Sequence, residues 1–152
     1  MNLQQASRVL EARLEHRMRT EAELSMPEYE LLFRLKMAPD HPLLMGEIAE
    51  LLINSPSGAT RIADRLEKDG LITRETPRDN RRVVQVTLTK RGQHVLEKAD
   101  QVFRDALRES FAGHLTDSDL DDLRRLMRKL LEGNGAWQDA RCSPALEPRA
   151  TS

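Results

Sequence analysis

At 152 residues, with 32% charged and 39% hydrophobic residues, the chain sits among soluble globular proteins and requires no second domain. Aromatics make up only 3%, while Leu, Ala, Glu and Arg recur throughout, which favours helices packed by aliphatic side chains over a β-sandwich. A formal net charge of −1 argues against a polyanionic partner only if the charge is evenly spread, and it is not.

From Asn2 to about Leu24, the residues Leu3, Ala6, Leu10, Leu14 and Met18 recur at helical spacing and predict one long amphipathic helix. SMPEYELLFRLKMA starts a second, with Ser25 as N-cap, Pro27 in the first turn and Glu28 completing a capping box. APDHP is a proline-closed loop. LLMGEIAELL then reads as a short helix with Met45, Ile48, Ala49 and Leu52 on one face. NSPSG breaks it, and Ser55 followed by Pro56 caps the next helix, whose Ala59, Ile62, Ala63 and Leu66 form a buried stripe up to a stop at Gly70. LITRETP and RVVQVTLT read as two strands of a hairpin, joined by a tip that holds Arg78, Asp79, Asn80, Arg81 and Arg82. Thr89 caps a long helix with Val95, Ala99, Val102, Phe103, Ala106 and Leu107 on one face, stopping around Gly113. Thr116 caps the last helix, with acids in its first turns and bases in its later ones, as the helix dipole favours. From Gly133 the Gly-, Pro-, Ala- and Ser-containing composition predicts a disordered tail over 133–152.

Two short helices joined by a tight turn and followed by a hairpin make a winged helix-turn-helix. In that arrangement the second helix enters the major groove of double-stranded DNA and the first braces it. Local charge agrees: between Asn54 and Gly92 nine Lys or Arg residues stand against five acids. Opposite the buried stripe lie Ser57, Thr60, Arg61, Asp64, Arg65 and Lys68, so small hydroxyls share a face with long cations. Small Ser57 and Gly58 allow the helix start to approach phosphate, where free backbone N–H groups favour an anion. The DNA-facing residues expected on this helix are therefore Ser55, Ser57, Gly58, Thr60, Arg61 and Arg65, the two arginines being able to pair with guanine edges. Arg65 has a second option in ion pairing with nearby Glu67 or Asp69. Arg81 or Arg82 at the wing tip suits the narrower minor groove, where the negative potential is deepest.

The stretch MGEIAELLINSPSGATRIADRLEKDGLITRETPRDNRRVVQVTLTKRG resembles the MarR family of bacterial transcriptional regulators, most specifically in RLEKDGLITR and DNRRVVQVTLTKRG. The resemblance implies a mostly-α fold: a winged helix-turn-helix core with a two-stranded β wing, flanked by long amino- and carboxy-terminal dimerisation helices. It divides a single domain over 1–132 into dimerisation helices at 1–36 and 93–132 and the winged helix-turn-helix at 44–92. It further implies a homodimeric repressor of a pseudo-palindromic operator, released by a small aromatic or phenolic ligand. A constitutive DNA-binding regulator without an inducer is the alternative, and a winged-helix protein-interaction adaptor a more distant one. One position departs from the family: the usual wing aspartate is Asn80 here, with Asp79 one residue earlier.

Nothing points to an enzyme, a metal or a cofactor. His16, His41, His94 and His114 are scattered without i, i+4 metal spacing, and NSPSGAT has no histidine and acid arranged to activate it. His16, on the first helix, is a candidate for lining a ligand cleft. The lone cysteine, Cys142, can staple nothing within the chain and fits a reducing cytoplasm. No export signal is evident at the amino terminus, and no stretch approaches the roughly 20 apolar residues of a membrane span.

Overall fold

The computed structural model describes residues 2–38, 42–52, 56–78 and 80–135. The order of elements is α1 (Asn2–Glu21), α2 (Met26–Met37), β1 (Leu43–Leu44), α3 (Met45–Leu51), α4 (Pro56–Lys68), β2 (Ile72–Glu75), β3 (Gln85–Leu88), α5 (Lys90–Ser110), a 3-10 turn (Ala112–His114) and α6 (Asp117–Gly133). The described residues fall into two compact units, one ending at Ala106 and the other beginning at Leu107.

Local chemistry explains where the helices begin. The Ser25 hydroxyl accepts from the Glu28 amide, and the Glu28 carboxylate accepts from the Ser25 amide at 2.7 Å, the reciprocal box expected there. Thr89 Oγ1 accepts from the Gly92 amide at 2.9 Å to start α5, and Thr116 forms a reciprocal pair with Asp119 to start α6. The Thr116 hydroxyl and amide both donate to the Asp119 carboxyl and hold it below the usual carboxylate range. The caps expected from Ser55 and the loops at APDHP and NSPSG lie largely outside the described residues, although Pro56 does open α4.

Four boundaries differ from expectation. α1 stops at Glu21 instead of near Leu24, because Glu23 takes a left-handed conformation (φ 57°) and the Leu24 amide turns back to the Met18 carbonyl at 3.3 Å. The short helix read from LLMGEIAELL begins only at Met45. Leu43 and Leu44 are instead a strand, paired antiparallel with Val86 and Gln85, so the sheet has three strands in the order β1-β3-β2 rather than the expected two. The Leu44 amide then donates to the Glu47 carboxylate at 2.7 Å, closing the start of α3 without a capping side chain on Leu44. α5 ends at Ser110, short of Gly113, and runs on into the 3-10 turn. At the other end, α6 includes Gly133, the first residue assigned to the tail, and 136–152 lie outside the described residues.

One core joins the first unit. Met18 from α1, Leu31 and Leu32 from α2, Ile48 from α3, Leu66 from α4, Ile72 and Val86 from the sheet and Leu96 from α5 are all essentially inaccessible. Burying such side chains contributes about 1.5–3 kcal/mol each. Leu96 was not on the face read from the sequence for its helix; it shares the buried side with Ala99. Tyr29 adds a polar tie across the core: its ring stacks on Phe103 with centroids 5.0 Å apart, and its hydroxyl donates to Asp100 Oδ1 at 2.9 Å. Burial, and then the Asp100 charge beside it, push the Tyr29 hydroxyl far above its ordinary pKa, so it stays a donor.

Candidate nucleic-acid interface

The buried stripe of α4 is Ala59, Ala63 and Leu66, all at zero exposure, with half-buried Ile62 beside them, and it packs on α2, α3 and β2. Three small or aliphatic residues at helical spacing seat the helix closely, which turns Ser57, Thr60, Arg61, Asp64, Arg65 and Lys68 outward, all exposed; Gly58 is half-buried. All the expected groove-facing residues of this helix that are described, from Ser57 to Arg65, therefore lie on α4, while Ser55 is outside the described residues.

The end of α4 is fixed by backbone geometry. Gly70 takes φ +70°, the Gly70 amide bonds the Glu67 carbonyl and the Leu71 amide bonds the Leu66 carbonyl, each at 2.9 Å, and buried Leu66 and Leu71 belong to one core. This hairpin of backbone sends β2 back along the helix. β2 pairs with β3 in antiparallel register from Ile72 opposite Leu88 to Glu75 opposite Gln85, and the chain between them forms the wing tip. There Arg78, Asn80, Arg81 and Arg82 are exposed, and Asp79 is outside the described residues. Asn80 Oδ1 accepts from the Arg82 backbone amide at 3.2 Å, so the residue at the family's aspartate position supports the turn of the tip through a neutral oxygen.

A guanidinium clamp joins the wing to α4. Arg74 on β2 donates from Nε to Glu67 Oε2 at 2.9 Å, its Nη2 lies 2.7 Å from Asp64 Oδ1, and its backbone amide donates to Glu67 Oε1 at 3.2 Å. Hydrogen bonding from Arg74 lowers the Glu67 carboxyl below its ordinary range, and Glu67 in turn raises Arg74. Sequence reading counted these residues as charges without pairing them. The signal was available: Asp64 and Glu67 are three apart on one helix face, and the Gly70 turn brings the next strand back beside them.

Arg65 behaves differently from Arg61. Its Nε lies 3.1 Å from Glu28 Oε1 and 4.0 Å from Asp69 Oδ2, while its side chain remains 55% exposed. Of the two local acids considered as its partners, Asp69 is at the limit of contact and Glu67 is engaged by Arg74; the nearest acid is Glu28 of α2, known from the sequence only as a cap. His16 is exposed on α1, where its carbonyl accepts from the Thr20 hydroxyl at 2.9 Å. Cys142 lies outside the described residues. Among the described residues no His, Cys, Asp and Glu group could hold a metal, and no helix is long and apolar enough to cross a membrane.

Paired short helices, a strand-built wing and a cationic outer face define a winged helix-turn-helix protein of the transcription-regulator type. Comparison narrows the class. A model of the MarR family matches residues 24–84. The chain is 31% identical over 114 residues to the HTH-type transcriptional regulator YhbI of Bacillus subtilis (strain 168), covering 73% of this chain and 72% of YhbI. It is 32% identical over 100 residues to the transcriptional repressor MprA of Escherichia coli (strain K12), where the match covers 66% of this chain but only 56% of MprA. Among solved structures it superposes on Sco3205, a MarR family transcriptional regulator from Streptomyces coelicolor in complex with DNA, with a TM-score of 0.79 and 29% identity over 87% of this chain and 82% of that one. The chain belongs to the MarR family, a family of transcriptional regulators and not of enzymes.

Proposed function

We propose that the protein is a sequence-specific DNA-binding regulator, working in the cytoplasm as a homodimeric repressor of a pseudo-palindromic operator and released by a small aromatic or phenolic ligand. The observation that carries this is the pairing pattern on α4: the acids that would repel phosphate, Asp64 and Glu67, are held by Arg74, while Arg61 is exposed and the wing tip presents Arg78, Arg81 and Arg82. Dimerisation is supported by apolar side chains that one chain leaves uncovered. α6 buries none of its residues, and Leu126, Leu130 and Leu131 are 42–52% exposed, as are Leu3 and Val9 of α1 at 59% and 49%. The DNA-bound state of Sco3205 and the repressor name of MprA are consistent with the reading.

The test uses a duplex selected by the wild-type protein from a randomised pool and a scrambled duplex of equal length. Arg61→Ala is expected to weaken the selected duplex by about 1–3 kcal/mol, the value of a guanidinium–base contact, and to leave the scrambled one nearly unchanged. Equal loss on both duplexes would remove α4 from base reading.

A further inference from the structure

We propose that Glu28, on α2 and outside the DNA-facing elements, is a positioning residue for DNA reading: its buried carboxylate holds one edge of the Arg65 guanidinium and aims the rest of it outward from α4. This rests on the reading of α4 as the DNA-facing helix.

The Glu28 side chain is 4% exposed, and its two oxygens have different duties. Oε2 accepts from the Ser25 amide at 2.7 Å and from the Ser25 hydroxyl at 2.8 Å, which completes the cap of α2. A capping box needs no more than that, and a neutral glutamine serves it as well as a glutamate. Oε1 faces Arg65 Nε at 3.1 Å. The negative charge of Glu28 is therefore explained by the arginine and not by the cap, because a carboxylate this buried requires a cationic partner.

The arginine is not buried with it. More than half of the Arg65 side chain stays exposed, one helical turn along the same face from Arg61. A guanidinium has five donors in a rigid planar fork, so an ion pair at its Nε edge limits the directions the others can take. An unheld arginine would lose that freedom only on meeting DNA; here it is spent in folding. The carboxylate is itself well anchored, since the α2 start that it caps is tied to α1 by the Met26 amide, which donates to Glu15 Oε2 at 2.7 Å.

The decisive experiment is a double-mutant cycle of Glu28→Gln and Arg65→Ala, read as affinity at fixed moderate salt for the selected and the scrambled duplexes. Glutamine keeps the size and the capping acceptor of Glu28 and puts an NH2 donor where Oε1 faces Arg65, so it removes both the charge and the acceptor at that contact. Glu28→Gln is expected to weaken the selected duplex by about tenfold, on the order of one well-oriented guanidinium–base contact, with little change on the scrambled duplex. In the Arg65→Ala background the same substitution should have no further effect. An equal loss in both backgrounds would assign Glu28 to the cap and the packing of α2 alone, and no loss in either would make the contact incidental; each overturns the proposal. A wild-type protein that fails to distinguish the two duplexes overturns the DNA reading itself and this proposal with it, a result the cycle separates from the other two.

Discussion

Replacing Gly92 by alanine tests the joint on which the wing is mounted. Gly92 is buried in the first turn of α5, and a Cβ added there would lie 2.1 Å from the Leu71 carbonyl oxygen, 3.0 Å from its carbon and 2.8 Å from Leu88 Cδ1. Carbon and oxygen tolerate about 3.3 Å, so the first turn of α5 must withdraw from the α4–β2 junction by roughly 1 Å. That movement stretches three contacts at the same place: the Thr89 hydroxyl to the carbonyls of Gly70 (2.8 Å) and Leu71 (3.1 Å), and the Thr89 amide to the Leu71 carbonyl (3.1 Å). Overpacking costs about 1–3 kcal/mol and each weakened hydrogen bond about 0.5–1.5 kcal/mol net. Against this stands the helix-propensity gain of alanine over glycine, about 1 kcal/mol. The balance is a destabilisation of about 3 kcal/mol, or roughly 10 °C in Tm for a chain of this size. Thermal and urea unfolding at fixed protein concentration measure it. Gly133→Ala is the control, since nothing lies within 4 Å of a Cβ at the end of α6; it should be neutral or stabilising by up to about 0.5 kcal/mol. If Gly92→Ala unfolds with the wild type, Gly92 is a tolerated glycine and its tight seat against Leu71 is not a structural requirement.

Replacing both Arg81 and Arg82 by alanine should weaken selected and scrambled duplexes alike and make the salt dependence shallower by about one or two counterions per subunit; an unchanged affinity and slope would make them ordinary solvated surface. The Arg74 clamp gives an acid-dependent term. Because Glu67 is depressed in the folded state, its contribution is present above the ordinary glutamate value and is lost as pH falls through the lowered one. Glu67→Gln should therefore lower the unfolding free energy measured in urea near neutrality, by about 1 kcal/mol or less because the side chain is partly solvated, and should converge with wild type in acid; a constant offset down to the lowest pH would exclude charge as the cause. Finally, Leu126→Glu with Leu130→Glu should shift sedimentation from dimer to monomer or unfolded chain at micromolar concentration, and a stable dimer carrying both would move the interface elsewhere.

How far the molecule was legible in its sequence depended on range. The caps at Ser25, Thr89 and Thr116 and the stop at Gly70 act within four residues, so their spacing alone reveals them. The strand at Leu43 and Leu44 was missed because its partners, Val86 and Gln85, are about forty positions away, and two leucines before a helical run look locally like its first turn. The end of α1 was missed for a related reason. Its left-handed residue is Glu23, whereas the usual marker of such a turn is glycine or asparagine. At the interface the division is the same: the alternating faces of α4 and the basic tip could be read directly, but Glu28 meets Arg65 across a tertiary contact that no local pattern encodes.

The charge of the interface follows from those tertiary contacts more than from its composition. Nine cations against five acids between Asn54 and Gly92 suggests uniform excess, yet Arg74 spends its charge on Asp64 and Glu67, within the protein's own ion pairs. This is not a loss to DNA binding. Asp64 is 55% exposed on the same helix as Arg61, and an uncompensated carboxylate about 4 Å from a phosphate costs about 1 kcal/mol even in water and more where water is displaced. By drawing both acids of α4 toward β2, Arg74 ties the wing to the helix and offsets one of their two negative charges, which reduces the repulsion on the face that Arg61 and Arg65 share. The same residue thus sets the geometry and the potential, which is why an overall charge of −1 is compatible with a local surface suited to a polyanion.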